Sequence, residues 1–325
     1  MPSAVPLVRV VRSGLEESVH LGHVAVCDAD GRLVAWAGDP QRLVFARSSM
    51  KPLQASVSLA AIGRELPDRQ VAVMCGSHEG ESIHVRTVRA LLRRGGLTEE
   101  ALGCPLDYPG DVRAHARAAG PRRITHNCSG KHAGMTVACA SAGWDVGGYL
   151  RPGHPLQRRV LSAVRLATGL ERVDVGVDGC GVPVHGMPLA SMATLFARLA
   201  RPDRLGELAQ TVSRCTEAMR AEPYLVAGRN QTDTLVMSTV PRVVTKYGAE
   251  ALSCAALLEE GLGVAVKIAD GGERAAGPAL LRVLRLLGVV SAAELRGLDR
   301  IARRRVWGGG KVVGHLVADV DLRRA

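Results

Sequence analysis

Strand-like alternation of apolar and polar residues stands at both ends of this chain and is missing from its middle, and that distribution decides most of what the chain can fold into. Near the start it covers Leu7–Val11 and Val19–Cys27, and the turn Asp28-Ala29-Asp30-Gly31 leads to a third strand over Arg32–Ala37. Strands return at Val243–Tyr247, Leu252–Ala256, Val264–Ala269 and Lys311–Leu322, with helices at Ala276–Leu287 and Ala292–Leu298. Between the ends the apolar spacing is helical. It predicts a serine-capped helix from Ser49 to about Glu65, a second through Val85, Val88, Leu91 and Leu92, then Lys131–Ala142, Pro155–Ala167, Leu189–Leu199, Leu205–Met219 and Thr232–Thr239. Val71–Cys75 reads as a short buried strand. The expectation is an α+β fold in one intertwined domain. Its antiparallel sheet comes from both chain ends (about 1–125 and 240–325), and a helical region (about 126–239) is inserted between them.

Composition narrows the class. With 47% hydrophobic and 22% charged residues over 325 positions, the chain can bury a large core, which excludes disorder. The apolar stretches Leu262–Val266 and Leu284–Ala293 fall short of the ~18 residues of a membrane span, and the N-terminus lacks a secretory signal, so a cytoplasmic protein without a membrane partner is expected. Eight cysteines, scattered singly with no CxxC pair, fit reduced core thiols. The net charge of +11 is dispersed over many elements, and at 3% aromatic the chain has little to stack on bases; nucleic acid is not the expected partner.

Among 42 basic residues only five are lysine: Lys51, Lys131, Lys246, Lys267 and Lys311. A solvated surface charge tolerates the exchange of lysine for arginine. A proton-accepting amine does not, because guanidinium stays charged and planar. Each remaining lysine is therefore a candidate functional position.

The motifs gather around these lysines. Ser48-Ser49-Met50-Lys51 sets a hydroxyl and an amine three apart at a helix start, a position that Pro52 reinforces. A neutral lysine there could take the serine proton; the plain alternative is a helix cap. Cys75-Gly76-Ser77-His78-Glu79-Gly80 offers a second serine in a turn. It matches neither the G-x-S-x-G elbow nor, through His78 and His84, the H-E-x-x-H zinc motif, and taken alone a satisfied turn is the plainer account. His126-Asn127-Cys128-Ser129-Gly130-Lys131-His132 and Asp178-Gly179-Cys180 could share a borderline-soft metal such as zinc through two thiolates and a nitrogen, or hold two unrelated buried cysteines. Lys267 stands on an otherwise apolar strand before Asp270-Gly271, either buried with a partner or turned to solvent.

Taken together these segments resemble the asparaginase II family, of the rhizobial type. The residues that carry the resemblance are Ala46-Arg47-Ser48-Ser49-Met50-Lys51-Pro52, Gly76-Ser77-His78, Asn127-Cys128-Ser129-Gly130-Lys131-His132, His154-Pro155-Leu156-Gln157, Asp178-Gly179-Cys180 and Val266-Lys267-Ile268-Ala269-Asp270-Gly271, in that order. The resemblance runs from about Val19 to Gly314. It implies a serine β-lactamase/glutaminase-like fold, hydrolysis of L-asparagine to aspartate and ammonia, and a homodimer. It implies Ser–Lys pairs that match Ser48 with Lys51 and Ser77 with Lys267, and zinc on Cys128, Lys131 and Cys180. Arg47, His132 and Asp178 match positions near the substrate. The segment from Tyr224 to Asp233 fits the family loosely. Glutaminase, another Ser–Lys amidohydrolase, and a non-catalytic metal or ligand-binding module are the alternatives.

Overall fold

The computed structural model describes residues 3–325, which divide into two compact units. Among the described residues, one comprises 3–49, Met187–Arg201 and Thr239–Ala325, the other Met50–Gly186 and Pro202–Ser238.

The first unit is built on a nine-stranded antiparallel sheet drawn from both ends of the chain. Counted along the chain, β1 (Val5–Arg12), β2 (Leu15–Asp28) and β3 (Leu33–Ala37) come from the start, followed by the short β4 (Leu43–Phe45); β5 (Asp174–Val177) and β6 (Pro183–Pro188) lie outside this sheet. From the far end come β7 (Val243–Gly248), β8 (Leu252–Leu257), β9 (Leu262–Ile268), β10 (Arg305–Gly308), β11 (Lys311–Ala318) and β12 (Arg323–Arg324). The order is β10-β11-β1-β2-β9-β8-β7, with β3 on β2 and β12 on β3, so β7 is an edge strand. Every residue of β8 is buried, as are Gly22 to Cys27 of β2, the pattern of strands covered on both faces. Helices Leu189–Ala200 and Glu273–Leu286 pack on this sheet. The first lies directly on the β9 backbone, since a methyl group at Gly263 would come 1.9 Å from the Ala193 carbonyl oxygen.

The second unit is helical. Its core is α1 (Lys51–Ile62) against α2 (Asp68–Cys75) and α5 (Ser129–Ala142), with α3 (Ser82–Arg94), the single turn α4 (Val112–His115) and α6 (Pro155–Thr168) beside them. Helix Ala209–Ala221 also packs on α1 and α2. Both α1 and α5 are buried nearly all round, which their small residues (Ala, Ser, Gly) make possible. Strands β5 and β6 pair antiparallel at the edge of this unit.

Three local expectations are corrected. Val71–Cys75 is not a strand but most of α2, which begins at Asp68 behind Pro67. Five apolar residues buried on all sides carry no period that separates the two structures. Leu205–Met219 is not one helix: a 3₁₀ segment with Gly206 at φ 53° precedes the helix Ala209–Ala221. The serines do not cap α1, because Met50 takes that place without a side-chain bond and Ser49 Oγ donates to the Lys246 carbonyl at 3.1 Å.

Candidate active site

Pro52 starts α1 and leaves Lys51 as its first residue, wholly buried. The Lys51 amine lies 2.6 Å from the Gly76 carbonyl oxygen and 2.8 Å from Ser77 Oγ. Burial, aided by the nearby charge of Lys131, pushes the Lys51 pKa down. A neutral amine has two N–H donors and one lone pair, so it can give a hydrogen to Gly76 and accept the one on Ser77. That is the ground-state geometry of a serine poised to release its proton.

Ser77 is held there by its neighbours. It follows Gly76, where a methyl group would come 2.8 Å from the carbonyl oxygens of both Leu225 and Val226. Its own N–H donates to the Val226 carbonyl at 2.7 Å, and the next N–H, of His78, donates to Asn127 at 3.1 Å. The His78 ring accepts the Gly80 N–H at Nδ1, which leaves Nε2–H for Ser129 Oγ at 3.0 Å. His78 stacks on His84, and His84 on Tyr224, whose hydroxyl donates to the Glu81 carboxylate. Gln231 donates to Glu79 at 2.9 Å. The loosely fitting segment from Tyr224 to Asp233 is thus a strap over the Ser77 turn.

The sulfur-bearing residues meet in the same unit. Lys131 Nζ donates to Cys180 Sγ at 2.9 Å, and the Cys128 thiol donates to Asn127 Oδ1 at 3.0 Å. A hydrogen bond from Cys180, then the charges of Lys51 and Lys131, hold Cys128 well below the usual thiol range, while that bond and burial push Cys180 up. Burial works against charge on Lys131, but the two sulfurs outweigh it and keep the ammonium. The cluster brings two sulfurs and an amine together inside this unit, with burial opposing charge on each of them. Among the described residues no three His, Cys, Asp or Glu side chains gather as metal ligands; here an amine stands where a third such ligand would be. Two sulfurs and a nitrogen within hydrogen-bond reach fit the donor set of zinc, provided Lys131 and Cys180 give up protons.

Next to Lys131, His132 is fully buried and burial keeps its ring neutral. Asp178 lies near this cluster, 3.7 Å from Cys180 Sγ.

The first unit holds the other sites read from the sequence. Ser48 is half-buried in the 3₁₀ turn Arg47–Met50, and Arg47 takes φ 45°, a left-handed conformation rare for its type. The Lys267 amine donates to the carbonyls of Glu250 at 2.5 Å and Ile268 at 2.6 Å. Thus the hydroxyl that Lys51 meets is Ser77, whereas the Lys267 amine donates to two carbonyls. A lysine not assigned a role from sequence, Lys246 on edge strand β7, is completely buried. Its carbonyl accepts from Ser49, the neighbour of Ser48. Scarcity of lysine was the signal that pointed to it.

A mixed α+β scaffold that buries a lysine amine against a serine hydroxyl is the equipment of an amide-cleaving hydrolase. The chain belongs to the L-asparaginase II family, whose model matches residues 8–318. The family makes it an amidohydrolase for a small-molecule amide. None of the curated protein sequences matches it. Solved structures with a similar course of chain include a β-lactamase from Mycobacterium bovis, at 18% identity and TM-score 0.46 over 83% of this chain and 95% of that one. Others are a probable glutaminase from Bacillus subtilis complexed with 6-diazo-5-oxo-L-norleucine (11%, TM-score 0.45, 82% and 84% covered) and simvastatin synthase from Aspergillus terreus (14%, 0.43, 86% and 93%). No helix among the described residues is long and apolar enough to cross a membrane.

Proposed function

We propose that the protein hydrolyses the side-chain amide of L-asparagine to L-aspartate and ammonia through an acyl-enzyme on Ser48. The observation that carries this reading is the buried Lys51 amine 2.8 Å from Ser77 Oγ, in a chain of the L-asparaginase II family. A tetrahedral intermediate on Ser77 would lack that residue's own main-chain N–H as an oxyanion donor, because it is bonded to Val226. The Ser77 hydroxyl suits a proton relay.

In this scheme the Lys51 lone pair turns from the Ser77 hydrogen to that of Ser48, three residues back, and takes this proton as Ser48 Oγ attacks the amide carbon. The resulting Lys51 ammonium returns the proton through Ser77 Oγ to the amide nitrogen, the C–N bond breaks and ammonia leaves. Water then attacks the ester carbon, gives its proton back along the same path, and releases aspartate. Arg47, Asp178 and His132 are proposed to hold the amino-acid end of the substrate.

Cys128, Lys131 and Cys180 would hold zinc, whose fixed positive charge would anchor an anionic group of the substrate. For the second lysine, the resemblance implies Lys267. A competing assignment is Lys246, favoured by its complete burial, with its amine donating to the Tyr247 carbonyl at 2.8 Å.

Ammonia release from L-asparagine and L-glutamine, followed side by side, tests the reading. Faster turnover of glutamine makes the protein a glutaminase, and turnover of neither removes the hydrolase assignment.

A further inference from the structure

We infer that Tyr149 is a positioning residue that locks His132 in the tautomer carrying its proton on Nε2, and so holds a buried N–H ready for an oxygen of the substrate. This rests on the reading above in that His132 is taken to face the substrate.

The inference comes from counting hydrogens. Tyr149 is almost wholly buried, and its oxygen accepts the Gly103 N–H at 2.7 Å and lies 2.5 Å from His132 Nδ1. The chain has made room for this contact: a methyl group at Gly103 would sit 2.9 Å from the phenol oxygen. The two rings meet edge to face, at 5.6 Å and 79°, which fixes the direction of approach. His132 Nε2 is buried and has no hydrogen-bond partner.

Two proton arrangements are possible. If Nδ1 carried the hydrogen and donated to Tyr149, the phenol hydrogen and the Nε2 lone pair would both be buried without partners. If Tyr149 donates to Nδ1, one group is left unmatched, the Nε2–H. Buried polar groups without partners are costly, so the second arrangement prevails. The fold thus leaves one buried donor, on a ring held in the same helix as Lys131 and within electrostatic reach of Lys51 and Cys128. A donor with that address suits the carboxylate or amide oxygen of an amino-acid amide.

Nitrogen-15 histidine labelling and long-range proton–nitrogen correlation read the tautomer directly in the wild-type protein. Protonated Nε2 with bare Nδ1 is expected; the reverse overturns the inference without any variant. Tyr149→Phe should mix the tautomers and raise KM for asparagine about tenfold with a smaller change in kcat, the pattern of lost substrate binding. His132→Gln, whose amide N–H reaches the Nε2 position, should keep KM closer to wild type than His132→Asn. An unchanged tautomer in Tyr149→Phe overturns the lock. A verified lock with unchanged KM in all three variants overturns the donor role alone. Should asparagine not be turned over at all, the asparaginase reading falls while the tautomer still decides the lock.

Discussion

The Lys51 amine touches Ser77, and Ser77 touches back through a turn whose backbone hydrogens are already committed to Val226 and Asn127. One side chain therefore ties the first residue of α1 to the end of α2. The hydroxyl it meets is 26 positions away in sequence, and no spacing rule would have paired them.

Lys51→Arg and Lys51→Met should each lower turnover by on the order of a hundredfold or more, since neither can accept a proton at neutral pH. Because the amine acts neutral and its folded pKa lies below 10.5, turnover should rise with pH through that depressed value. The unfolded chain binds this proton more tightly, so the burden on folding is present at neutral pH and fades as pH climbs from the folded pKa to the unfolded one. Steady-state rates from pH 6 to 10 check the first point; a rate that falls with rising pH excludes a neutral-lysine base.

Ser48→Ala should abolish the acyl-enzyme, whereas Ser77→Ala should slow its formation and decay without removing it. Intact-mass spectrometry after an acylating substrate analogue separates the two. An adduct on Ser77 reverses their roles.

Lys246 and Lys267 make different predictions. A base or charge needed by the reaction is lost in a lysine-to-methionine change, while an amine that caps two carbonyls gives up mainly stability. Lys246→Met is expected to cut kcat by about a hundredfold, and Lys267→Met to lower the melting temperature with kcat within a few-fold. The opposite split returns the role to Lys267.

Metal content and proton release test the sulfur cluster together. Protein purified without added metal should carry zinc in the wild type and much less in Cys180→Ser. Loading zinc into the apoprotein should release protons, because thiol and ammonium ligands bind a metal only after losing theirs. Equal metal in both proteins, or none in either, removes zinc from the scheme.

Gly130→Ala probes the packing that sets these residues beside one another. The added methyl group would meet the Val73 carbonyl oxygen of α2 at 2.1 Å. Overpacking of this kind costs about 1–3 kcal/mol. Thermal denaturation should register that loss, and an unchanged midpoint would mean that α2 and α5 can separate freely.

What could be read from the sequence followed the range of each signal. The sheet was legible because its strands near the C-terminus are short apolar runs set apart by charged or glycine-bearing turns, and α1 was placed by Pro52. Helix α2 was hidden because its five apolar residues are buried on every side. The chemical residues were legible through type and scarcity: Ser48, Lys51, Cys128, Lys131 and Cys180 stand out even as letters. The Tyr224–Asp233 strap did not, since it holds Ser77 through the main-chain carbonyl of Val226, which any residue possesses. The Tyr149–His132 contact was equally silent, since its partners lie 17 positions apart in different elements.

The burial of the lysines also settles how the protein meets amine-directed chemistry. Lys51, Lys131 and Lys246 are inside and Lys267 is half-covered by the carbonyls it caps, whereas Lys311 is exposed at the β10–β11 turn. Active esters and aldehydes will therefore find a single open side-chain amine. Attached to a resin through Lys311, a molecule would hang from the β10–β11 hairpin, with the buried amines of Lys51, Lys131 and Lys246 untouched by the coupling.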